Sequence, residues 1–209
     1  MTRVSQRLCT ISLLGFLLFA HSLFARSSNG DTSELQVSLA HGTVAEAETR
    51  DELLKLLKTY DLSNWLWTRK VVIDRDAIPH SHPVLTLHTR HLNNDLYLLS
   101  AFVHEEYHWY ESAHPQATAA AIAELKNAYP GLPVGGSDGG FDEESSYLHV
   151  IVCYAEWQKM KALVGEAEAG RVMEFWATDH YRAIYRLVLD HEAAIGEIVR
   201  RHDLLPPVT

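Results

Sequence analysis

Apolar residues recur at helical spacing through most of this chain and alternate with polar ones in one short stretch only. Over residues 46–60, Leu53, Leu54, Leu56 and Leu57 interleave with charges, which predicts an amphipathic helix broken by Asp61, Ser63 and Asn64. Residues 70–74 (KVVID) read as a short strand. In 84–89, Val84, Thr86 and His88 alternate with Leu85, Leu87 and Thr89, the pattern of an edge strand with one buried face. Residues 95–111 then carry Leu96, Leu99, Phe102 and Val103 at helical spacing, and Asn94 or Asp95 can cap the start. An alanine-rich helix is expected over 116–128, ended by Tyr129-Pro130-Gly131. The glycine-rich segment 131–140 (GLPVGGSDGG) suits a flap beside a cleft or a surface linker equally well. Residues 145–160 are apolar nearly all round, as in a buried helix. A helix over 166–175 and one from about 180 to 201, capped by Thr178-Asp179, complete the pattern. The expected fold is mainly α with a small antiparallel β-sheet (α+β), as a single domain.

The N-terminus changes this picture in one respect. Arg3 and Arg7 precede an apolar run over 8–20, too short and too soon followed by polar residues for a membrane span, so 1–25 reads as an export signal cleaved after Ala25. An uncleaved N-terminal anchor is the alternative. Residues 26–45 follow as a flexible leader and 46–205 as the folded domain. Export to the periplasm or exterior leaves Cys153 as the only cysteine, so no intrachain disulfide is available and the core must hold the domain, helped by a metal if one is bound. Removing Arg3 and Arg7 from the 18 basic residues leaves 16 against 27 acidic ones. So acidic a chain is a poor partner for nucleic acid or anionic membrane surfaces. The residues assign no oligomeric state.

The chemistry centres on 95–111, DLYLLSAFVHEEYHWYE, in which His104, Glu105 and His108 are spaced H-E-x-x-H. Residues four apart on a helix share a face, so both imidazoles can reach one metal ion with Glu105 beside it. With 13 histidines in the chain, coincidence is a live competitor, and its structural form is a half-buried helix with hydrogen-bonded histidines. Glu105-x-x-His108 and Glu111-x-x-His114 are also units of di-iron bundles, but such a site needs them on two different helices.

The stretch resembles the active-site helix of the zincin metallopeptidases. That resemblance implies Zn2+ on His104 and His108, and Glu105 as the base that activates a zinc-bound water for attack on a peptide carbonyl. Glu106 stands where zincins mostly carry an uncharged residue. The resemblance also implies a peptide or protein substrate lying extended along the strand over 84–89. A Tyr or His opposite the metal would stabilise the oxyanion, for which Tyr181 is the first choice among His180, Tyr181 and Tyr185.

A catalytic zinc takes three protein ligands, so a third is required. His114 completes H-E-x-x-H-x-x-E-x-x-H, similar to the metzincin signature, but Glu111 occupies the position of its glycine. In the buried helix, His149 and Glu156 share a face, and two ionisable groups there need a partner. Helix rise separates them by about 10 Å, so His149 is taken as the ligand and Glu156 as an orienting carboxylate or substrate contact. Glu156 or His114 as ligand are the alternatives, and Glu111 can orient a ligand imidazole. His80 and His82 are further loop candidates. The expected protein is an exported zinc hydrolase, most plainly a metallopeptidase. The alternative is a catalytically inactive metal-holding binding or scaffold protein of the cell envelope.

Overall fold

The computed structural model describes residues 35–206. The export signal over 1–25 lies outside the described residues. Part of the expected leader does not: Gln36–Leu39 form strand β1. Helix α1 (Val44–Thr59) begins at a capping box in which Thr43 and Glu46 satisfy each other's backbone N–H groups. Glu46 is fully buried, and its carboxylate also accepts from the backbone N–H of His41 and Arg75. Burial works to raise its pKa, but the backbone donors of Thr43, Arg75 and His41 together outweigh burial and bring it down to about 2. One carboxylate thus ties the β1–α1 turn to the chain beyond β2 (Lys70–Ile73).

Strand β3 (Leu85–Leu87) completes a three-stranded sheet in the order β1-β2-β3, and both pairings are parallel. This corrects the expected antiparallel sheet. The link over 74–84 passes the position of β3 and turns back, His80 pairing antiparallel with Thr86 on its outer edge, so β3 enters beside β2 in the same direction, while α1 is the crossover between β1 and β2. Among the described residues antiparallel pairing occurs only in one isolated bridge, where His80 exchanges both backbone hydrogen bonds with Thr86. Leu85, Thr86 and Leu87 are all buried, so β3 is covered on both faces rather than one.

The rest is helical. Helix α2 (Asp95–Ser112) buries Leu98, Leu99, Phe102 and Val103, each side chain stabilising the fold by roughly 1.5–3 kcal/mol. Helix α3 (Pro115–Ala128) starts on a proline, whose missing N–H costs nothing in the first turn. Helix α4 (Glu143–Val164) is the central rod, packed against α2, α3, α5 (Glu166–Asp179), α6 (Arg182–Asp190) and α7 (Glu192–Arg201). The single last helix expected from about 180 to 201 is therefore two. Its apolar spacing runs on through Tyr185, Val188, Ile195 and Val199, which hid the break at His191. Thr178 and Asp179 end α5 rather than capping α6, and Thr178 Oγ donates back to the Phe175 carbonyl. Among the described residues no helix is long and apolar enough to cross a membrane.

Candidate metal centre

Helices α2 and α4 pack side by side, and their facing sides bring His104 and His108 together with His149. The ring centroids form a near-equilateral triangle, 5.2 Å for His104–His108, 5.6 Å for His104–His149 and 5.1 Å for His108–His149. One potential ligand atom from each lies within 4.8 Å of the other two, and all three residues are buried.

Each imidazole is held through its Nδ1. His149 Nδ1 is 2.6 Å from the carbonyl oxygen of Ser145, an atom that can only accept, so the proton sits on Nδ1 and the Nε2 lone pair is free. His104 Nδ1 lies 2.9 Å from Glu156 Oε2. That carboxylate also accepts from Tyr185 at 2.8 Å and from Ser100, whose oxygen is itself fixed by Trp176 Nε1–H at 2.9 Å. His108 Nδ1 makes a longer contact, 3.4 Å, to Glu111 Oε1. Carboxylate or carbonyl partners on the far nitrogen are what orient histidines around a metal ion. The residues therefore fit a three-imidazole site with an open fourth position.

Burial, reinforced by the neighbouring imidazoles, pushes the pKa of His104 and of His149 well below the ordinary histidine range. Neutral rings are the form that can donate a lone pair. Burial also raises Glu156 to about 7 against the hydrogen bonds of Ser100 and Tyr185. Glu105 is buried and likewise raised to about 7 by burial, with His108 and His80 pulling the other way. Among the described residues its carboxylate has no hydrogen-bond partner, and it faces a cleft of about 750 Å3 shared with the triad. A cleft of that size takes a small ligand or a few residues of a chain.

Tyr181 also lines the cleft, with its ring 4.0 Å from that of His149 and 6.3 Å from that of His104. Its backbone is left-handed, φ 49°, a conformation that costs a bulky residue on the order of 1 kcal/mol. The glycine-rich segment holds it there: the carbonyls of Ser137 and Asp138 accept the first N–H groups of α6, from Arg182 and Ala183, and Asp138 pairs with Arg182. This segment is a wall of the cleft, and Gly139 packs so closely that a Cβ would lie 1.9 Å from the Pro133 carbonyl oxygen. Beside Tyr181, His180 Nδ1 contacts Asp179 at 2.8 Å, and Asp179 also pairs with Arg90.

The other candidates fall elsewhere. His114 is exposed, with Nδ1 turned back to the Tyr110 carbonyl at 2.7 Å, because the chain leaves α2 for α3 at that point. His82 stacks on Trp109, while His80 lines the cleft outside the triad. A second grouping of His104, Cys153 and Glu156 would draw on a carboxylate already engaged by Ser100, His104 Nδ1 and Tyr185, and burial pushes the Cys153 thiol well above its ordinary range. The third grouping, His41, Asp74 and Asp76, lies outside the cleft. Nor does β3 offer a free edge, since the outward-facing N–H and C=O of Thr86 are taken by His80. Ser100 was missed although it sits one turn before His104. Trp176 carries no local signal at all, being 76 residues distant from its partner. No family model matches the chain, and neither a curated protein nor a solved structure does.

Proposed function

We propose that this chain is a zinc-dependent hydrolase acting on peptide bonds, with His104, His108 and His149 as the zinc ligands. The observation that carries the proposal is the convergence of three imidazoles, each anchored through Nδ1, on a cleft that also holds a carboxylate with no other partner. Zinc in a three-ligand site supplies Lewis acidity at neutral pH. Glu105 takes the proton from the attacking water and passes it to the leaving amine. Glu156, fixed by Ser100 and Tyr185, keeps His104 in its ligand tautomer, and Glu111 acts on His108 in the same sense. Tyr181 is the hydroxyl donor for the developing oxyanion. Its phenol is kept protonated by burial, which raises its pKa further, and its hydroxyl has no hydrogen-bond partner among the described residues. The substrate is a peptide or protein rather than nucleic acid, in keeping with the acidic chain. The apolar run over 8–20 supports export as the route to it.

The test is zinc content and peptide hydrolysis measured on the same preparations, with and without chelator. Stoichiometric zinc with chelator-sensitive hydrolysis is the expected result. Zinc held without cleavage of any peptide in a broad library overturns the hydrolase and leaves a metal-holding protein.

A further inference from the structure

Away from the cleft, a second set of metal-ligating side chains converges at the carboxyl ends of two parallel strands. Leu39 of β1 pairs in register with Ile73 of β2, so the chain leaves the sheet side by side, through His41 after one strand and Asp74 and Asp76 after the other. That end of a parallel sheet is a recurrent place for ligands. His41 Nε2 stands 3.2 Å from Asp74 Oδ1 and 3.3 Å from Asp76 Oδ2, and one donor atom of each residue lies within 4.8 Å of the other two.

An ion pair accounts for this arrangement poorly. A single Nε2–H serves one carboxylate well and not two, and both contacts exceed the about 2.7–2.9 Å of a charge-assisted hydrogen bond. Donor atoms about 2.0–2.3 Å from a common ion, by contrast, stand about 2.8–3.7 Å apart in octahedral or tetrahedral geometry. The fold sets the spacing of the two loops without help from these contacts. The fully buried Glu46 accepts from the His41 N–H at 3.1 Å through Oε2 and from the Arg75 N–H at 3.2 Å through Oε1. Glu46 also meets the positive end of α1, which would otherwise repel a cation. The Asp76 N–H donates to Asp74 Oδ1 at 2.8 Å. That bond outweighs partial burial and, helped by His41, holds the Asp74 carboxyl below its ordinary range. Arg75 reaches the other oxygen of Asp76, Oδ1 at 3.5 Å, and leaves Oδ2 to His41.

We propose that His41, Asp74 and Asp76 form a second metal site, for a divalent first-row ion of the Mn2+ class, that ties the β1–α1 turn to the turn after β2. An imidazole among the donors argues against Ca2+ and Mg2+, which take oxygen ligands. Two carboxylates to one imidazole, with no thiolate, argue against the softer Zn2+ and Cu ions. The three side chains are 43%, 24% and 63% exposed, which lets solvent complete the coordination. The site shares no residue with the imidazole triad and does not depend on the hydrolase reading.

Mn2+ itself is the probe. The full chain carrying one equivalent of zinc is titrated with MnCl2, and free Mn2+ is read by electron paramagnetic resonance. One Mn2+ per chain should bind, and Asp76→Asn and His41→Gln should each weaken that binding by about tenfold or more, as expected when a site loses a ligand or a ligand charge. Melting curves recorded without Mn2+ confirm that both variants are folded. Saturating Mn2+ should raise Tm in the parent chain and not in Asp76→Asn. His149→Ala should bind Mn2+ as the parent does, which separates this site from the cleft whether or not the cleft takes zinc. Peptide hydrolysis by Asp76→Asn should equal that of the parent. Absence of saturable Mn2+ binding, binding unaltered in both Asp76→Asn and His41→Gln, or binding lost in His149→Ala overturns the site. Equal competition by Ca2+ at the same concentration does so too, since it shows that the imidazole is not a ligand.

Discussion

In the proposed reaction Glu105 is the base; its carboxylate is buried, unpaired among the described residues and lines the cleft. Glu105→Gln keeps the shape and removes the proton acceptor. It should lower kcat by about 10²–10⁴-fold with zinc content unchanged, as measured by metal analysis and initial rates on one preparation. Glu156→Gln acts through His104 instead and should weaken zinc binding by about 10–100-fold in a competition titration with a chromophoric chelator. The H-E-x-x-H spacing made His104, Glu105 and His108 legible in the chain, and the cost of a histidine and a glutamate on one buried helix face pointed to His149 and Glu156. Nothing local could reveal Trp176 or the Asp179–His180 pair, because their meaning depends on which helix packs where. His91 offers a separate check on burial. Its ring is wedged edge-on against Tyr97, Phe175 and Trp176. Burial, helped by Arg90, lowers its pKa to about 4. The folded protein then stays neutral there while the unfolded chain takes up a proton near pH 6.5, so this contribution is complete above 6.5 and is lost as pH falls toward 4. Comparison of urea melts at pH 7 and pH 5 should show His91→Leu losing about 1–2 kcal/mol less than the parent chain on acidification.

At the scale of elements, the glycine-rich segment and α6 behave as one piece, because carbonyls of the first cap the second and Tyr181 sits at the joint. Gly139→Ala forces a Cβ into the Pro133 carbonyl and must shift the segment. The expected outcome is a stability loss of about 1–3 kcal/mol in thermal melts, together with a drop in kcat of about tenfold or more as Tyr181 moves. Zinc content should not change, since none of the three imidazoles lies on these elements. Sequence reasoning left this segment open between flap and linker. Glycine content announces unusual backbone, but which wall that backbone builds is set by contacts more than forty residues away in Arg182. Strand direction was missed for a related reason. Alternation over 84–89 marks a strand but not that β3 is covered on both faces, and its parallel pairing with β2 is set by the reversal at His80, which leaves no signature in apolar spacing; the four residues of β1 sit among polar neighbours that look like leader.

Across the whole molecule, the triad joins α2 to α4, the two helices about which the described residues pack. A metal that binds only the folded arrangement stabilises it by mass action, by about 4 kcal/mol when free zinc stands a thousandfold above its dissociation constant. For a domain of this size that corresponds to a rise in Tm of roughly 10 °C, reversed by chelator and absent in His149→Ala. Mainly helical architecture was legible throughout, because helical periodicity is a local property. The pairing of helices that creates the site is not local. The most direct test is X-ray absorption at the zinc edge on the loaded full chain. Three imidazole nitrogens at about 2.0–2.1 Å and no sulfur is the result expected of His104, His108 and His149. A sulfur scatterer at about 2.3 Å, which only Cys153 could supply in the described domain, or fewer than three imidazoles, would contradict the assignment.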